Sequence, residues 1–324
     1  MVFIDMGEPI PKQQIIPTPS LGLNEALGGG LRTGAFHAFW GSNQTGKTTF
    51  ALQILAEAQK NFGMVPFIID AENSLEDDYL IKNGVDPDRR IWYRTNVVEE
   101  AVTKVKEQVK EHKNEQFIYL IDSINTLYFE SYVMDPTNAT MAYSARSQTA
   151  LLNKLTPYTK TSMVIVIAQQ TTDIQATYVS TKGKLAEALN HDCNTIIRLQ
   201  KSNAKKEITV EDDGTVSEYP VNWKLMKTKQ GPNRGQTGKY YFKPAEVKID
   251  TAREILTLAC LNKLVKNSGS WYTIDGEKMQ GEQKAIAYLE EHDMITSLYN
   301  ELMDLTKIRT DAPEEELEDE EDMV

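Results

Sequence analysis

The chain has 324 residues, enough for one large α/β domain and a smaller one, and 40% of them are hydrophobic, as in a globular protein. No apolar run approaches the roughly 20 residues of a membrane span, and the first residues lack the layout of a signal peptide, so we expect a cytoplasmic protein with no membrane partner. The two cysteines, Cys193 and Cys260, have no CxxC spacing, which argues against a disulfide or zinc framework.

The net charge of −12 would by itself disfavour nucleic acid as a partner, but the charge is unevenly distributed. Nine acidic residues and no basic one lie between Asp311 and Asp322. Such a segment repels itself, so we predict a disordered acidic tail over residues 311–324. A solubilising role and a regulatory role are equally open for this tail.

Helical and fully apolar segments alternate along most of the chain. We predict a short helix from residue 21 and glycine-rich turns up to residue 34, strands at 35–40, 65–70, 117–121, 163–168 and 194–199, and helices at 48–62, 75–83, 97–112 and 143–158. Helices that alternate with buried strands are typical of a parallel sheet covered on both faces. The predicted fold class is therefore α/β, a doubly wound, mostly parallel sheet.

The pattern changes towards the end of the chain. Alternating residues around Asp212, Asp213 and Gly214 predict a hairpin, so the sheet should end in antiparallel strands. From about residue 251 we predict a small α+β domain with helices at 282–292 and 295–305. The predicted domains are an N-terminal segment at 1–20, a core at 21–250, a C-terminal domain at 251–310 and the tail at 311–324.

Residues 41–48, GSNQTGKT, fit the phosphate-loop pattern G-x-x-x-x-G-K-[ST], between a predicted strand and a predicted helix. The glycines permit turns that a Cβ would block, so that backbone N–H groups point at a polyphosphate. Lys47 adds a charge at the β- and γ-phosphates, and Thr48 offers a hydroxyl to Mg²⁺. We predict a nucleoside triphosphate site made by Gly41, Ser42, Asn43, Gln44, Thr45, Gly46, Lys47, Thr48 and Thr49.

Carboxylates follow two of the predicted strands. Asp122 ends FIYLID and fits the second metal-binding position, although a strand-end cap would look the same. Asp70 and Glu72 end the strand IIDAE, and a glutamate just beyond a strand end can orient and deprotonate an attacking water.

These residues carry a family resemblance. GSNQTGKTT, IIDAENSLEDDYLIKNGVD, FIYLIDS and VIVIAQQ, in this order and spacing, resemble the RecA family of DNA strand-exchange recombinases, closest in style to its phage UvsX-like members. The resemblance continues through KLMKTKQGP and SGSWYTIDGEKMQGEQKAIAYL and covers residues 21–305. It implies a RecA-type ATPase core that uses ATP and Mg²⁺.

Carried over position by position, the resemblance implies five roles near the nucleotide. Glu72 would be the catalytic base and Asp122 the Walker B carboxylate. Tyr79 would stack on adenine, with Glu76 near the edge of the base. Gln170 would sense the γ-phosphate and pass its state to the following loop.

Lys227 and Lys229 match a lysine pair that reaches across a filament interface to the neighbouring subunit's ATP. Hydrolysis would then depend on assembly. A lysine pair at a strand end is also typical of a solvated face. VFID, near the start of the chain, could supply the strand that contacts the next subunit.

Two loops, at about 128–146 and 171–184, correspond to the family's DNA-binding loops. Both combine cations for phosphates with apolar or aromatic side chains for bases, although mobile surface loops would have the same composition. The second loop has one glycine, Gly183, where the family usually has two. The predicted DNA contacts are Met141, Arg146, Ile174, Tyr178, Lys182 and Lys184.

The resemblance implies an ATP- and DNA-dependent recombinase that polymerises on single-stranded DNA and pairs it with a homologous duplex. The expected further partners are a single-strand-binding protein and a loading mediator. A ring-forming helicase motor and an ATP-gated DNA-binding mediator are the alternatives. GSWYTIDGEKMQGE favours the recombinase over the helicase, and Glu72 argues against the mediator.

Overall fold

The computed structural model describes residues 13–131, 141–170, 187–202, 207–211, 213–229 and 235–311. The predicted strand VFID and the acidic tail after Asp311 lie outside these ranges. The chain divides into two compact units, and the boundary along the sequence lies between Glu254 and Ile255.

A ten-stranded sheet forms the centre of the larger unit. The strands of this unit are β1 (Ile15–Ile16), β2 (Leu31–Arg32), β3 (Ala35–Gly41), β4 (Val65–Asp70), β5 (Ile91–Arg94), β6 (Phe117–Asp122), β7 (Met163–Gln169), β8 (Thr195–Lys201), β9 (Thr209–Val210), β10 (Val216–Thr228), β11 (Thr237–Lys243) and β12 (Lys248–Ile249). Its helices are α1 (Leu21–Leu27), α2 (Lys47–Phe62), α3 (Asp77–Lys82), α4 (Val98–Glu111), α5 (Met141–Leu155), α6 (Glu187–Asp192) and the start of α7 (Thr251–Leu261).

The order across the large sheet is β12-β11-β10-β8-β3-β7-β6-β4-β5, and β9 pairs with β10. The strands from β8 to β5 in this order are parallel, whereas β9, β10, β11 and β12 add antiparallel neighbours. The predicted hairpin is present, and Gly214 between β9 and β10 has a φ of +85°. The prediction of a mostly parallel sheet with an antiparallel end is confirmed.

Successive residues of a strand point to opposite faces, and β3 separates two apolar cores in this way. Phe39 packs on Phe50 of α2, with ring centroids 5.2 Å apart. Trp40 belongs to the core on the other face, together with Val98 of α4 and Leu151 of α5. Helices therefore cover both faces, as the doubly wound fold class predicts.

In the larger unit, two predicted helices differ from the observed ones by two residues or more at an end. The helix expected at 75–83 starts later, at Asp77 of α3, after a turn in which the N–H groups of Ser74 and Leu75 donate to the Asp70 carboxylate at 3.2 and 3.3 Å. The helix expected at 143–158 starts at Met141 and ends at Leu155. A 3₁₀ turn at Thr156–Tyr158 follows, with a proline near its start.

The smaller unit contains an antiparallel sheet of β13 (Lys266–Ser268), β14 (Trp271–Ile274) and β15 (Glu277–Gln280). Its remaining helices are α8 (Glu282–Glu291) and α9 (Met294–Asp311). Ala285 and Leu289 of α8 and Leu302 of α9 are buried. The unit is thus a small α+β assembly. It starts at Ile255, within α7, four residues after the domain start that we predict at 251.

Candidate active site

Four parallel strands end at one edge of the sheet, and each ends in a polar residue or a glycine. Gly41 of β3 is paired with Gln169 of β7, and Asp70 of β4 is paired with Asp122 of β6. The carboxyl ends of parallel strands are where ligands bind in sheets of this kind. The topology therefore brings the phosphate loop, both aspartates and the end of β7 to the same place.

The two glycines of the phosphate loop are required for different reasons. Gly46 has a φ of +80°, and a Cβ there would have no neighbour within 4 Å. Gly41 lies outside the left-handed region, but its Cβ would lie 2.2 Å from the backbone oxygen of Leu199 in β8. We expected both glycines to be required by their turn conformation. That explanation holds for Gly46 alone, whereas position 41 needs glycine because β8 lies so close.

Lys47 is the first residue of α2, one residue before the predicted start, and its side chain is buried. Its ammonium donates to the backbone oxygens of Gly41 at 3.1 Å and Ser42 at 2.7 Å. Burial lowers the pKa of Lys47, while the charges of Asp122 and Glu72 act in the opposite direction. The cation is thus held at the loop, beside two carboxylates.

Thr48 and Asp122 offer neighbouring oxygens. The Thr48 hydroxyl donates to Oδ2 of Asp122 at 2.8 Å. Burial raises the pKa of Asp122 to about 6, and the bond from Thr48 and the charge of Lys47 oppose that rise. The described residues hold no group of three or more His, Cys, Asp or Glu side chains suited to a metal. The pair fits Mg²⁺, which takes few protein oxygens and completes its shell with phosphates and water.

Glu72 lies two residues after the end of β4, and two side chains from neighbouring strand ends donate to it. The Ser123 hydroxyl donates to Oε1 at 2.5 Å, and the Gln169 amide donates to the same oxygen at 2.6 Å. The backbone N–H of Glu72 donates to the Asp122 carbonyl at 3.3 Å. The carboxylate therefore has a fixed position beside the phosphate loop.

Asp70 stabilises the loop that carries Glu72. Its buried carboxylate accepts the N–H groups of Ser74 and Leu75 and lies 3.5 Å from Nε of Arg94. Three partners for one buried carboxylate make this turn costly to rearrange.

A cleft of about 320 Å³ extends from the phosphate loop. The Tyr79 hydroxyl lies 2.5 Å from Oγ1 of Thr49, so the ring is tethered to the first turn of α2. The sequence did not indicate the apolar residues on the far side, which come from β10, β11 and the turn after it. The lining residues are Gln44, Thr45, Gly46, Lys47, Thr48, Thr49, Tyr79, Tyr219, Phe242, Pro244 and Val247. Glu76, the residue before α3, does not line the cleft.

Gln169 and Gln170 are adjacent, and the structure distinguishes them. The Gln169 side chain reaches Glu72, whereas the backbone N–H of Gln170 donates to the Gly41 carbonyl at 3.0 Å. Sequence reasoning selected Gln170 and missed Gln169. Strand alternation leaves open which of the two glutamines faces the site, because only one of two neighbouring residues in a strand points to a given face.

The comparisons with known proteins agree with this geometry. The chain matches the RecA N-terminal domain over residues 4–233 and the RecA C-terminal domain over residues 253–306. The chain belongs to the RecA family.

Bacterial RecA proteins show the same relationship along nearly the whole chain. Protein RecA of Colwellia psychrerythraea is 30% identical over 318 residues, which cover 94% of this chain and 88% of the relative. Protein RecA of Nostoc punctiforme is 31% identical over 289 residues, covering 86% and 76%. Protein RecA of Lactobacillus delbrueckii subsp. bulgaricus is 29% identical over 298 residues, covering 89% and 86%.

The DNA contacts expected of a RecA protein fall mostly outside the described residues. Met141 begins α5, and Arg146 is exposed on the same helix. Ile174, Tyr178, Lys182 and Lys184 lie outside the described ranges.

The two lysines expected at a RecA interface lie at the end of β10 and just after it. Nζ of Lys227 donates to the backbone oxygens of Asn190 and His191 in α6. The backbone N–H of Lys229 donates to the Asn194 carbonyl at 2.9 Å.

Within the part of the chain that the structure describes, no helix is both long and apolar enough to cross a bilayer.

Proposed function

We propose that this RecA-family chain is a DNA-dependent ATPase that polymerises on single-stranded DNA with ATP and Mg²⁺. It then pairs that strand with a homologous duplex and exchanges strands, in recombination and repair. The observation that carries the proposal is the convergence of Lys47, the Thr48–Asp122 pair and the doubly hydrogen-bonded Glu72 at one sheet edge.

In the proposed reaction, backbone N–H groups of residues 42–48 and the Lys47 ammonium hold the phosphates. Thr48 and Asp122 would hold Mg²⁺, which supplies charge neutralisation at the phosphate oxygens when bound. Glu72 orients water and accepts its proton. Because Ser123 and Gln169 both donate to Oε1, Oε2 is the oxygen that takes the proton.

The nucleoside is proposed to lie in the cleft beyond Thr49. Tyr79 stacks on the adenine, because its hydroxyl is tied to Thr49 and its ring lines the cleft. Glu76 is proposed to lie near the edge of the base. Gln170 remains the predicted γ-phosphate sensor, but the contact of Gln169 with Glu72 favours Gln169 for that role.

Assembly is proposed to complete the site. Lys227 and Lys229 would reach the ATP of the next subunit, and residues 1–20 would contribute to the subunit contact. The test compares Lys227→Ala with Lys60→Ala, which removes an exposed lysine from the last turn of α2. Loss of DNA-stimulated ATPase in Lys227→Ala alone supports a completed interface, and equal activity of both variants contradicts it.

DNA binding is proposed for Met141, Arg146, Ile174, Tyr178, Lys182 and Lys184. A second cleft of about 450 Å³ offers a further cationic surface, with Arg198, Lys224 and Lys239 among its lining residues. Arg198 and Lys224 are cross-strand partners, so they share a face of the sheet. Such a surface favours a polyanion as its ligand.

The Arg146 contact is tested separately. In an Arg146→Ala variant, the slope of log DNA affinity against log salt concentration should become smaller by about one.

Electron microscopy with single-stranded DNA and a slowly hydrolysed ATP analogue distinguishes the recombinase from its alternatives. Helical filaments support the proposal, closed rings support a helicase motor, and the absence of both supports an ATP-gated mediator. A strand-exchange assay with and without ATP then tests the reaction itself. The same proposal includes two partners, a single-strand-binding protein and a loading mediator. It also includes a cytoplasmic location, which is the host cytoplasm if the chain is phage-encoded.

The phage UvsX-like subtype also remains a proposal, based on the motif style alone. The relatives named above are bacterial.

A further inference from the structure

The end of β7 extends beyond the strand beside it. The last paired residues of β6 and β7 are Ile121 and Val166, and β6 ends at Asp122. The chain then turns through the 3₁₀ segment Ile124–Thr126. The backbone N–H of Gln169 therefore lies past the last carbonyl that β6 could offer.

Asn125 replaces that missing carbonyl. Its side-chain oxygen accepts the backbone N–H of Gln169 at 2.7 Å. On the other side of β7, the next N–H, that of Gln170, donates to Gly41 at 3.0 Å. The end of β7 is thus held from both sides, by a side chain of the Asp122 turn and by the first residue of the phosphate loop.

We propose that Asn125 is a positioning residue for ATP hydrolysis, acting through Gln169 on Glu72. The inference rests on the proposed ATPase function. Gln169 uses its backbone to bind Asn125 and its side chain to bind Oε1 of Glu72, at 2.7 and 2.6 Å. Two short hydrogen bonds from one residue leave its Cα little freedom to move. Loss of the backbone bond to Asn125 therefore shifts the side chain that binds Glu72.

The same turn controls Glu72 from a second direction. Ser123 donates to Oε1 of Glu72, and Thr126 donates to the Ser123 carbonyl at 2.9 Å. Three residues of one short segment thus make three hydrogen bonds. Asp122 binds the Thr48 hydroxyl, Ser123 binds Glu72, and Asn125 binds the backbone of Gln169. The bond to Gln169 needs a side-chain acceptor at position 125, which no aliphatic residue of similar size supplies.

The test uses the full chain with two substitutions at one position. Asn125→Ala removes the acceptor, and Asn125→Asp keeps an acceptor oxygen at the same reach. Asn61→Ala is the matched control, because it removes an exposed amide that donates to Glu57 on the surface of α2. DNA-stimulated ATPase is measured as kcat and KM, and hydrogen exchange is followed in the segment that contains Gln169.

We expect Asn125→Ala to lower kcat about tenfold with KM for ATP changed less than about twofold, because nucleotide contacts are kept. In the same variant, hydrogen exchange at the backbone amide of Gln169 becomes faster. Asn125→Asp restores both kcat and slow exchange, and Asn61→Ala changes neither. A double variant, Asn125→Ala with Gln169→Ala, falls no further than Gln169→Ala alone if Asn125 acts only through Gln169.

Several outcomes overturn the inference. One is an Asn125→Ala enzyme with the kcat of the wild-type chain. Another is an Asn125→Asp enzyme as slow as Asn125→Ala although Gln169 exchanges slowly. Additive losses in the double variant also contradict it. A wild-type chain that does not hydrolyse ATP would overturn the proposed function itself, which separates the two failures.

Discussion

The Gln169 amide donates to Oε1 of Glu72 at 2.6 Å, although the two residues are 97 positions apart in the chain. Glu72 follows β4 and Gln169 ends β7, and β6 lies between these strands in the sheet. The contact is formed across the end of β6, where Ser123 donates to the same oxygen. The proposed catalytic base is thus positioned by side chains from two neighbouring strand ends.

Glu72→Gln should abolish ATP hydrolysis while ATP and DNA binding remain. Glutamine keeps an acceptor oxygen for Ser123 and Gln169 but removes the basic group, so we expect kcat to fall by at least about 100-fold. Single-turnover hydrolysis and binding of a labelled ATP analogue measure the two properties separately. Glu107→Gln, at an exposed position of α4, is the control. Normal hydrolysis by Glu72→Gln would mean that another residue activates the water.

Lys47→Ala should remove nucleotide binding or turnover. The ammonium is buried and is held by the carbonyls of Gly41 and Ser42, and Lys47 is the one cationic side chain among the described residues that line the cleft. We expect ATPase activity to fall by about two orders of magnitude or more, since a phosphate-binding charge is lost. Steady-state ATPase assays measure the effect, with Lys60→Ala as the surface control. Wild-type rates in Lys47→Ala would refute the site assignment.

Tyr79 allows stacking and tethering to be separated. Tyr79→Phe keeps the ring and loses the contact with Thr49, whereas Tyr79→Ala loses both. We expect KM for ATP to rise about two- to threefold in the first variant and about tenfold or more in the second, following the usual strengths of a hydrogen bond and an aromatic stack. Binding titrations with an ATP analogue measure the change. Equal KM values for wild type and Tyr79→Ala would exclude the proposed base position.

Glu254 should make stability depend on pH. Its buried carboxylate accepts the Ser20 hydroxyl at 2.6 Å and the N–H groups of Leu21 and Gly22 at 3.1 and 3.0 Å. Burial nevertheless raises its pKa to about 7, because the three hydrogen bonds only partly offset desolvation. The folded chain therefore binds the proton more tightly than the unfolded chain.

A raised folded-state pKa contributes stability below the unfolded pKa of about 4.5, and that contribution is lost as the pH rises through about 7. Relative to Glu254→Gln, which does not titrate, the wild-type chain should gain up to about 3 kcal/mol between pH 7.5 and 4.5. Urea unfolding of both chains at several pH values measures the difference. A pH-independent difference, or a gain towards higher pH, would contradict the expected shift.

The acidic segment after Thr310 gives a further prediction. Removing it should speed engagement of duplex DNA and reduce the dependence of that step on salt or Mg²⁺, because the tail competes for basic surface. A neutral replacement of equal length separates charge from length. Unchanged duplex binding in both variants would leave the tail a solubilising segment.

Local patterns in the sequence determined much of the fold. The phosphate loop, the start of α2 at Lys47 and the apolar strands are short-range features, and each was predicted close to its observed place. The errors lie at the ends of elements. The helix predicted from residue 75, for example, starts at Asp77, after a turn in which Ser74 and Leu75 donate to the Asp70 carboxylate.

The sequence by itself determined the motif residues, their order and the fold class, because periodicity and turn chemistry are local properties. Only the tertiary structure decided that Gln169 rather than Gln170 reaches Glu72, and that Asn125, 44 positions away, holds the Gln169 backbone. The apolar wall formed by Tyr219 and Phe242 beside the cleft emerged in the same way. Strand order and register decide which side chains meet, and those depend on pairings between segments far apart in the chain.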